Sequence, residues 1–255
     1  MPYPLSIQMY TVRDLTKTPE DRVKVIREIG QIGYVATEGG GGKLTDDTRQ
    51  LYRESGLKFS SWWAVPTADN VQQFIDIAKE TGITHFIGSD GPDKFKDESS
   101  IKALAERYET AAQLLKPHGL QQLYHNHYWE FDIKHDGRYA WDVFFDQAPT
   151  LGAELDLYWA SNFGAVDVPA VLRKYASRTP IVHVKDGPLV KDQPNTAVGK
   201  GKFDNKAAIA AADPNVLKWL VVELDNYVEG NDKMMDAVRD SYAYLTNAGL
   251  ATGQR

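Results

Sequence analysis

Gln121-Gln122-Leu123-Tyr124-His125-Asn126-His127, with Glu130 just beyond it, is the first of four short apolar runs that each end in a metal-ligand-type side chain. The others are Gly152-Ala153-Glu154-Leu155-Asp156, Ile181-Val182-His183-Val184-Lys185-Asp186 and Trp219-Leu220-Val221-Val222-Glu223-Leu224-Asp225. From Glu130 to Asp156 to His183 to Glu223 the intervals are 26, 27 and 40 residues. One strand, one helix and two loops take roughly 30 residues. Each run therefore fits one parallel strand of a repeating βα unit. In a closed βα barrel the strands' carboxyl ends converge on one mouth. Four candidate ligands meeting there argue for a metal site.

The rest of the chain continues the alternation. Strands are expected at Leu5–Thr11, Tyr34–Thr37, Lys58–Trp63, His85–Gly88, Gln121–His127, Gly152–Asp156, Ile181–Lys185 and Leu220–Leu224. Helical periodicity falls between them. Thr18 is placed to cap a first helix that Pro19 opens. Ile101, Leu104, Ala105, Tyr108, Ala111, Ala112 and Leu115 form one helical face before Gly119. Later helices are read at Tyr139–Gln147, Val168–Ala176, Asn205–Ala212 and Lys233–Asn247. Strict alternation implies a parallel sheet. Eight pairs without a dinucleotide glycine fingerprint after the first strand imply a closed (β/α)8 barrel rather than an open sheet. Residues 1–255 are read as one domain, with Gly249–Arg255 a loose tail.

Composition narrows the partners. The chain has 255 residues, 42% hydrophobic and 25% charged, with formal charge −6. That balance fits an ordinary soluble domain and weighs against a nucleic-acid surface. No cysteine is present, so a metal must be held by carboxylate and imidazole, which suits Mn²⁺, Mg²⁺, Zn²⁺ or Co²⁺. No run approaches the roughly 18 apolar residues of a membrane span. Met-Pro-Tyr-Pro-Leu-Ser lacks the basic region of a signal peptide, so the default expectation is cytoplasmic.

A charge ending an apolar run is costly to desolvate without a partner. One shared cation explains four such charges economically. His125 and His127 lie two apart on one strand and face the same side. They are read either as hydrogen-bonded core histidines or as groups that touch substrate or move protons. Lys185 shares its face with His183. It is read as a substrate or enolate contact, or as a salt-bridge partner of Asp156 or Glu154. Tyr10, Trp62, Trp63, Phe131, Tyr158 and Trp159 lie at expected strand ends, where aromatic rings pack either a core or a sugar. Trp62 and Trp63 must point to opposite sides. Gly39-Gly40-Gly41-Gly42 is read as a plain loop on the catalytic face, with a lid or anion nest as the alternative. Gly199-Lys200-Gly201-Lys202 is read as rim.

Ser6-Ile7-Gln8-Met9-Tyr10-Thr11-Val12-Arg13, Tyr124-His125-Asn126-His127-Tyr128-Trp129-Glu130-Phe131, Leu155-Asp156-Leu157-Tyr158-Trp159, His183-Val184-Lys185-Asp186-Gly187 and Ala197-Val198-Gly199-Lys200-Gly201 together resemble the sugar phosphate isomerase/epimerase family of xylose-isomerase-like barrels. The resemblance covers essentially the whole chain. It implies a (β/α)8 barrel with one divalent metal ion held by Glu130, Asp156, His183 and Glu223. Many relatives carry the first ligand, a Glu, inside the fifth strand immediately before an Asn-His pair. Here that position is His125, and the assignment to Glu130 follows relatives that take the ligand from the later Glu.

The chemistry expected of such a site is metal-assisted proton transfer next to a carbonyl. Glu130 and Glu223 are the expected acid–base pair, with Lys185, His127 and His125 as further catalytic candidates. Tyr10, Trp62, Trp159 and Asp186 are the expected substrate contacts. Isomerisation or epimerisation of a sugar is the leading outcome. Dehydration or β-elimination of a 3-oxo-glycoside would share its first step. A non-catalytic sugar- or partner-binding barrel is the alternative from another class. The expected partner is a small carbohydrate, with a homo-oligomer also allowed.

Overall fold

The structure is a computed structural model and describes residues 2–40 and 44–254. Eight parallel strands form its centre: β1 (Tyr3–Gln8), β2 (Ala36–Gly40), β3 (Lys58–Trp63), β4 (His85–Gly88), β5 (Gln121–His125), β6 (Gly152–Asp156), β7 (Ile181–Val184) and β8 (Trp219–Val222). Each pairs with the next, and β1 pairs with β8 through Leu5↔Leu220, Ser6↔Val221 and Ile7↔Val222, which closes the sheet. The principal helices are α1 (Pro19–Ile32), α2 (Asp46–Glu54), α3 (Val71–Thr81), α4 (Glu98–Leu115), α5 (Ala140–Gln147), α6 (Val168–Tyr175), α7 (Asn205–Ile209) and α8 (Met234–Asn247). The chain is a single-domain (β/α)8 barrel, as its alternation predicts.

Local chemistry sets these boundaries. The Thr18 side chain accepts a hydrogen bond from the Asp21 N–H, with Pro19 in the first turn, as a good N-cap does. Gly33 then ends α1 at φ +115°, a conformation few other residues tolerate. Strands β5, β7 and β8 stop one or two residues before the sequence pattern does, because the chain turns outward at the barrel mouth. The tail is not loose. Ala251–Thr252 forms β9, pairing with Tyr3 and Pro4 of β1. Gln254 donates from its backbone N to Gly33 O at 2.7 Å and from its side chain to Tyr34 O and Gly56 O. Gly39 and Gly40 close β2, while Gly41 and Gly42 lie outside the described residues.

Alternation along each strand divides the interior into two cores. Leu155, Val182, Val184, Leu220 and Val222 belong to the core beneath the helices. The intervening Leu123, Ile181 and Val221 join Ile87 in a small cluster inside the barrel, with Trp63 and Trp219 against it. The runs read as continuously apolar because the helix-facing residues are; the chemistry is carried on the other face.

Candidate metal centre and barrel mouth

The inward positions change character along the barrel axis. Above the apolar cluster lies a layer containing Glu38, Glu154 and His183, and overlapping its upper side are His125, Asp156 and Glu223. One ligand atom from each of His125, Asp156, His183 and Glu223 lies within 4.8 Å of the others, and all four residues are buried. His183 Nδ1 is 2.8 Å from Glu223 Oε2 and 4.0 Å from Asp156 Oδ2. The Lys185 ammonium is 3.0 Å from both of these carboxylates and 2.8 Å from Asp225.

Charge balance in this buried layer decides the protonation states. Burial alone would discharge His183, yet Glu154 and Glu38 beside it outweigh that and hold its pKa well above the ordinary value. Burial likewise opposes the Lys185 charge, and Asp156, Asp225 and Glu223 overcome it. Burial pushes Glu223 up, but Lys185 and His183 together hold it well below the usual carboxylate range. Asp156 is raised by burial in spite of Lys185. These are groups whose charges answer one another. Asp156 Oδ2 also receives no aligned hydrogen bond, although the ammonium is near it. Two imidazoles and two carboxylates around one point, with a lysine cation drawn to the same oxygens, fit a divalent ion. That donor set carries formal charge −2 and suits borderline transition ions.

Below the cluster, Glu38 is held by four donors: Gln8 Nε2 at 2.6 Å, Ser61 Oγ at 2.5 Å, Trp63 Nε1 at 3.0 Å and His183 Nε2 at 2.9 Å. Burial opposes its charge, but the His183 cation and hydrogen bonds from His183, Glu154 and Ser61 bring its pKa to about 2. Glu154 sits beside it, where burial and the Glu38 charge oppose its ionisation and the His183 charge favours it. Neither carboxyl is among the four strand-end candidates, although Glu38 follows Thr37 at the end of β2 in the same pattern. Glu154 reads in the sequence only as a partner for Lys185, yet the lysine reaches Asp156, Glu223 and Asp225 instead.

Several expected site residues stand elsewhere. Glu130 lies on a short helix, Trp129–Asp132, that turns away from the barrel after β5. Its carboxyl group accepts the His127 N–H at 2.8 Å and the Tyr124 hydroxyl at 3.2 Å. Tyr124 packs with Tyr108 and Phe144 on the helix side of the sheet, so the structure brings His125 to the cluster and Glu130 behind the wall. Trp62 packs among Ile75, Ala78, Phe86 and Leu115 outside the barrel. Trp63, its neighbour, faces the mouth, 5.5 Å from His125 between ring centroids. Asp186 is a loop brace rather than a free contact. Its carboxylate accepts the N–H groups of Gly187, Gly199 and Phe203 at 2.8, 2.9 and 3.1 Å. A Cβ on Gly201 would collide with that carboxylate and with the Gly187 nitrogen. Gly201→Ala is therefore expected to cost about 1–3 kcal/mol, read as a lowered urea midpoint; an unchanged midpoint would show that the brace yields freely.

His127 stays at the mouth, stacked on Trp129 at 4.1 Å with Nδ1 unpartnered. Burial brings its pKa to about 4, so it is neutral near pH 7. Trp159 stands 5.1 Å below the Lys185 ammonium, its indole N–H unpartnered. Tyr10 is 51% exposed and is held at the rim by Arg13, which donates to Tyr10 O and Asp225 O and stacks on the ring at 3.9 Å. A cavity of 480 Å³ opens over the cluster, lined by Tyr10, Trp63, His125, His127, Lys185 and Glu223 among others. A larger groove of 850 Å³ lies away from it, on the outer surface between α1 and α8.

The buried His/Asp/Glu cluster thus lies at the carboxyl ends of the barrel strands, beneath an aromatic-rimmed cavity, at the face where barrels of this fold carry their functional sites. The chain belongs to the xylose isomerase-like TIM barrel family, whose model matches residues 51–247. It is similar to a sugar phosphate isomerase/epimerase from Parabacteroides distasonis (22% identity, TM-score 0.76, covering 99% of this chain and 96% of that one). It is also similar to a zinc-binding IolI protein (14% identity, TM-score 0.71, 97% and 98%) and to an L-ribulose 3-epimerase (15% identity, TM-score 0.64, 98% and 95%). These likenesses show the shared fold. No match was found among curated proteins. Among the described residues no helix is long and apolar enough to cross a membrane.

Proposed function

We propose that the protein is a divalent-metal-dependent sugar isomerase or epimerase that moves a proton next to a carbonyl. The observation that carries this reading is the meeting of His125, Asp156, His183 and Glu223 under a cavity that Lys185 and His127 also line. These four are taken as the ligands, with His125 in the place the sequence assigns to Glu130. A divalent ion there would polarise a carbonyl and its neighbouring hydroxyl and so acidify the C–H between them. Glu223 is ionised at neutral pH and faces the cavity, so its carboxylate takes that proton. Lys185 offers fixed positive charge to the oxygen on which negative charge develops. The neutral His127 on the same cavity wall is the group placed to carry a proton to or from a substrate oxygen or carbon. Tyr10 and Trp63, which line the cavity, offer aromatic surface to the sugar, while the Trp159 ring lies against the Lys185 ammonium.

A lyase outcome shares this first step. The test is deuterium exchange by NMR: the protein with Mn²⁺ or Zn²⁺ in D₂O, offered ketoses, inososes and 3-oxo-glycosides in turn. Metal-dependent exchange at the carbon next to the carbonyl is expected, reduced by about 10²–10⁴ in Glu223→Gln. Exchange that persists in that variant, or that ignores a chelator, would overturn the assignment. Product analysis separates isomerisation from elimination.

A further inference from the structure

Beneath the proposed ligands lies a carboxyl group that this chemistry does not use. Glu154 is wholly buried on β6, two residues before Asp156, and so faces the barrel axis as Asp156 does. Its Oε2 is 3.0 Å from His125 Nδ1 and 3.2 Å from His183 Nε2. Among the described residues it is the one carboxyl in hydrogen-bond reach of both imidazoles. His183 has a second holder, because its Nε2 is also 2.9 Å from Glu38 Oε1. His125 Nδ1 has Glu154 alone.

An imidazole that donates from one nitrogen presents the lone pair of the other. The two rings are held in opposite senses here, His125 at Nδ1 and His183 at Nε2. We infer that Glu154 is a positioning residue of the metal centre, lodged between the two imidazoles so that His125 presents Nε2 and His183 presents Nδ1 to the ion. This rests on the ligand set proposed above. The geometry at His183 agrees with it, for Nδ1 is the nitrogen that lies 2.8 Å from Glu223 and toward Asp156. A second reading of the same atoms, in which Glu38, Glu154 and His183 themselves hold an ion, is less favoured because Glu38 already accepts three hydrogen bonds from Gln8, Ser61 and Trp63. Outer partners of ligand histidines typically fix tautomer and ring orientation, and their loss weakens metal binding.

Calorimetric titration with ZnCl₂ and long-range ¹H–¹⁵N spectra of the zinc-loaded, histidine-labelled protein test this together. Wild type should bind one equivalent of zinc, with His125 as the Nδ1–H tautomer and His183 as the Nε2–H tautomer. Glu154→Leu should bind about 10–100-fold more weakly and lose the single tautomer at His125, whereas Glu154→Gln, which keeps an acceptor, should stay within about threefold. His183 should keep its tautomer in both variants through Glu38. Unchanged affinity and tautomers in Glu154→Leu would overturn the inference. So would a second zinc equivalent in wild type that both variants lose, which would make Glu154 a ligand. If the leucine variant does not fold, an Nε2–H tautomer at His125 in the wild-type protein overturns it equally. Zinc binding that is the same in wild type and His183→Ala would instead remove the ligand set on which the inference stands.

Discussion

His125→Ala is expected to weaken binding of a divalent cation by more than about 100-fold, beyond what loss of an outer partner typically costs, while Glu130→Gln leaves it within about threefold. The two residues compete for one role, and their surroundings separate them. His125 is buried inside the barrel, on the same face as the other three groups, with its donor atom inside their 4.8 Å circle. Glu130 spends its carboxyl oxygens on the His127 N–H and the Tyr124 hydroxyl behind β5. Bringing it to the cluster would require the Trp129–Asp132 turn to unwind and would leave the buried His127 N–H without its acceptor, at a cost of about 1–3 kcal/mol. Titrations of wild type and both variants with ZnCl₂ and MnCl₂ give the answer directly. Loss of binding in Glu130→Gln with retention in His125→Ala would restore the ligand set implied by the family resemblance. The same titrations test the ion preference. With two imidazoles the site should favour Zn²⁺ over Mg²⁺, because nitrogen donors suit the borderline ion and oxygen donors the hard one.

The divergence between His125 and Glu130 marks where sequence reading stops. The barrel itself was legible: strand and helix signals alternate eight times, and intervals of 26, 27 and 40 residues fit βα units. The facing of Asp156, His183 and Glu223 was legible too, since each continues the inward alternation of its strand. Glu130 lies past the end of β5, where alternation no longer applies and a single helical turn decides the direction of the side chain. Trp62 and Trp63 failed differently. Their opposite facing follows from period two, but which one faces in depends on the register slip between Thr37 and Glu38 against β3. No local pattern announces such a slip. Asp186 follows two inward residues of β7 by an odd step, and its three backbone donors come from a loop up to seventeen residues away. Glu154 was hidden by its company, a charge inside an apolar run whose partners lie on other strands.

Glu130→Gln should also stabilise the protein at alkaline pH, which tests what this carboxyl does in place of binding metal. Burial raises its pKa from 4.5 to about 8. The folded chain thus keeps a proton on Glu130 through a range in which the unfolded chain has released it. Stability then falls as pH rises, by about 1.36 kcal/mol per unit. The contribution is fully present below pH 4.5, is lost progressively up to about pH 8, and levels off above that. The whole span corresponds to about 5 kcal/mol for this one group. Glutamine matches the neutral acid in shape, can accept the His127 N–H and has no charge to desolvate. Urea unfolding of wild type and variant from pH 5 to 9 should give nearly equal stabilities at the acid end. The variant's advantage should grow with pH and stop growing near pH 8. Parallel curves across the range would mean that Glu130 is ionised in the folded protein, and a carboxylate charged at that depth would need a cation that neither Tyr124 nor the His127 N–H supplies.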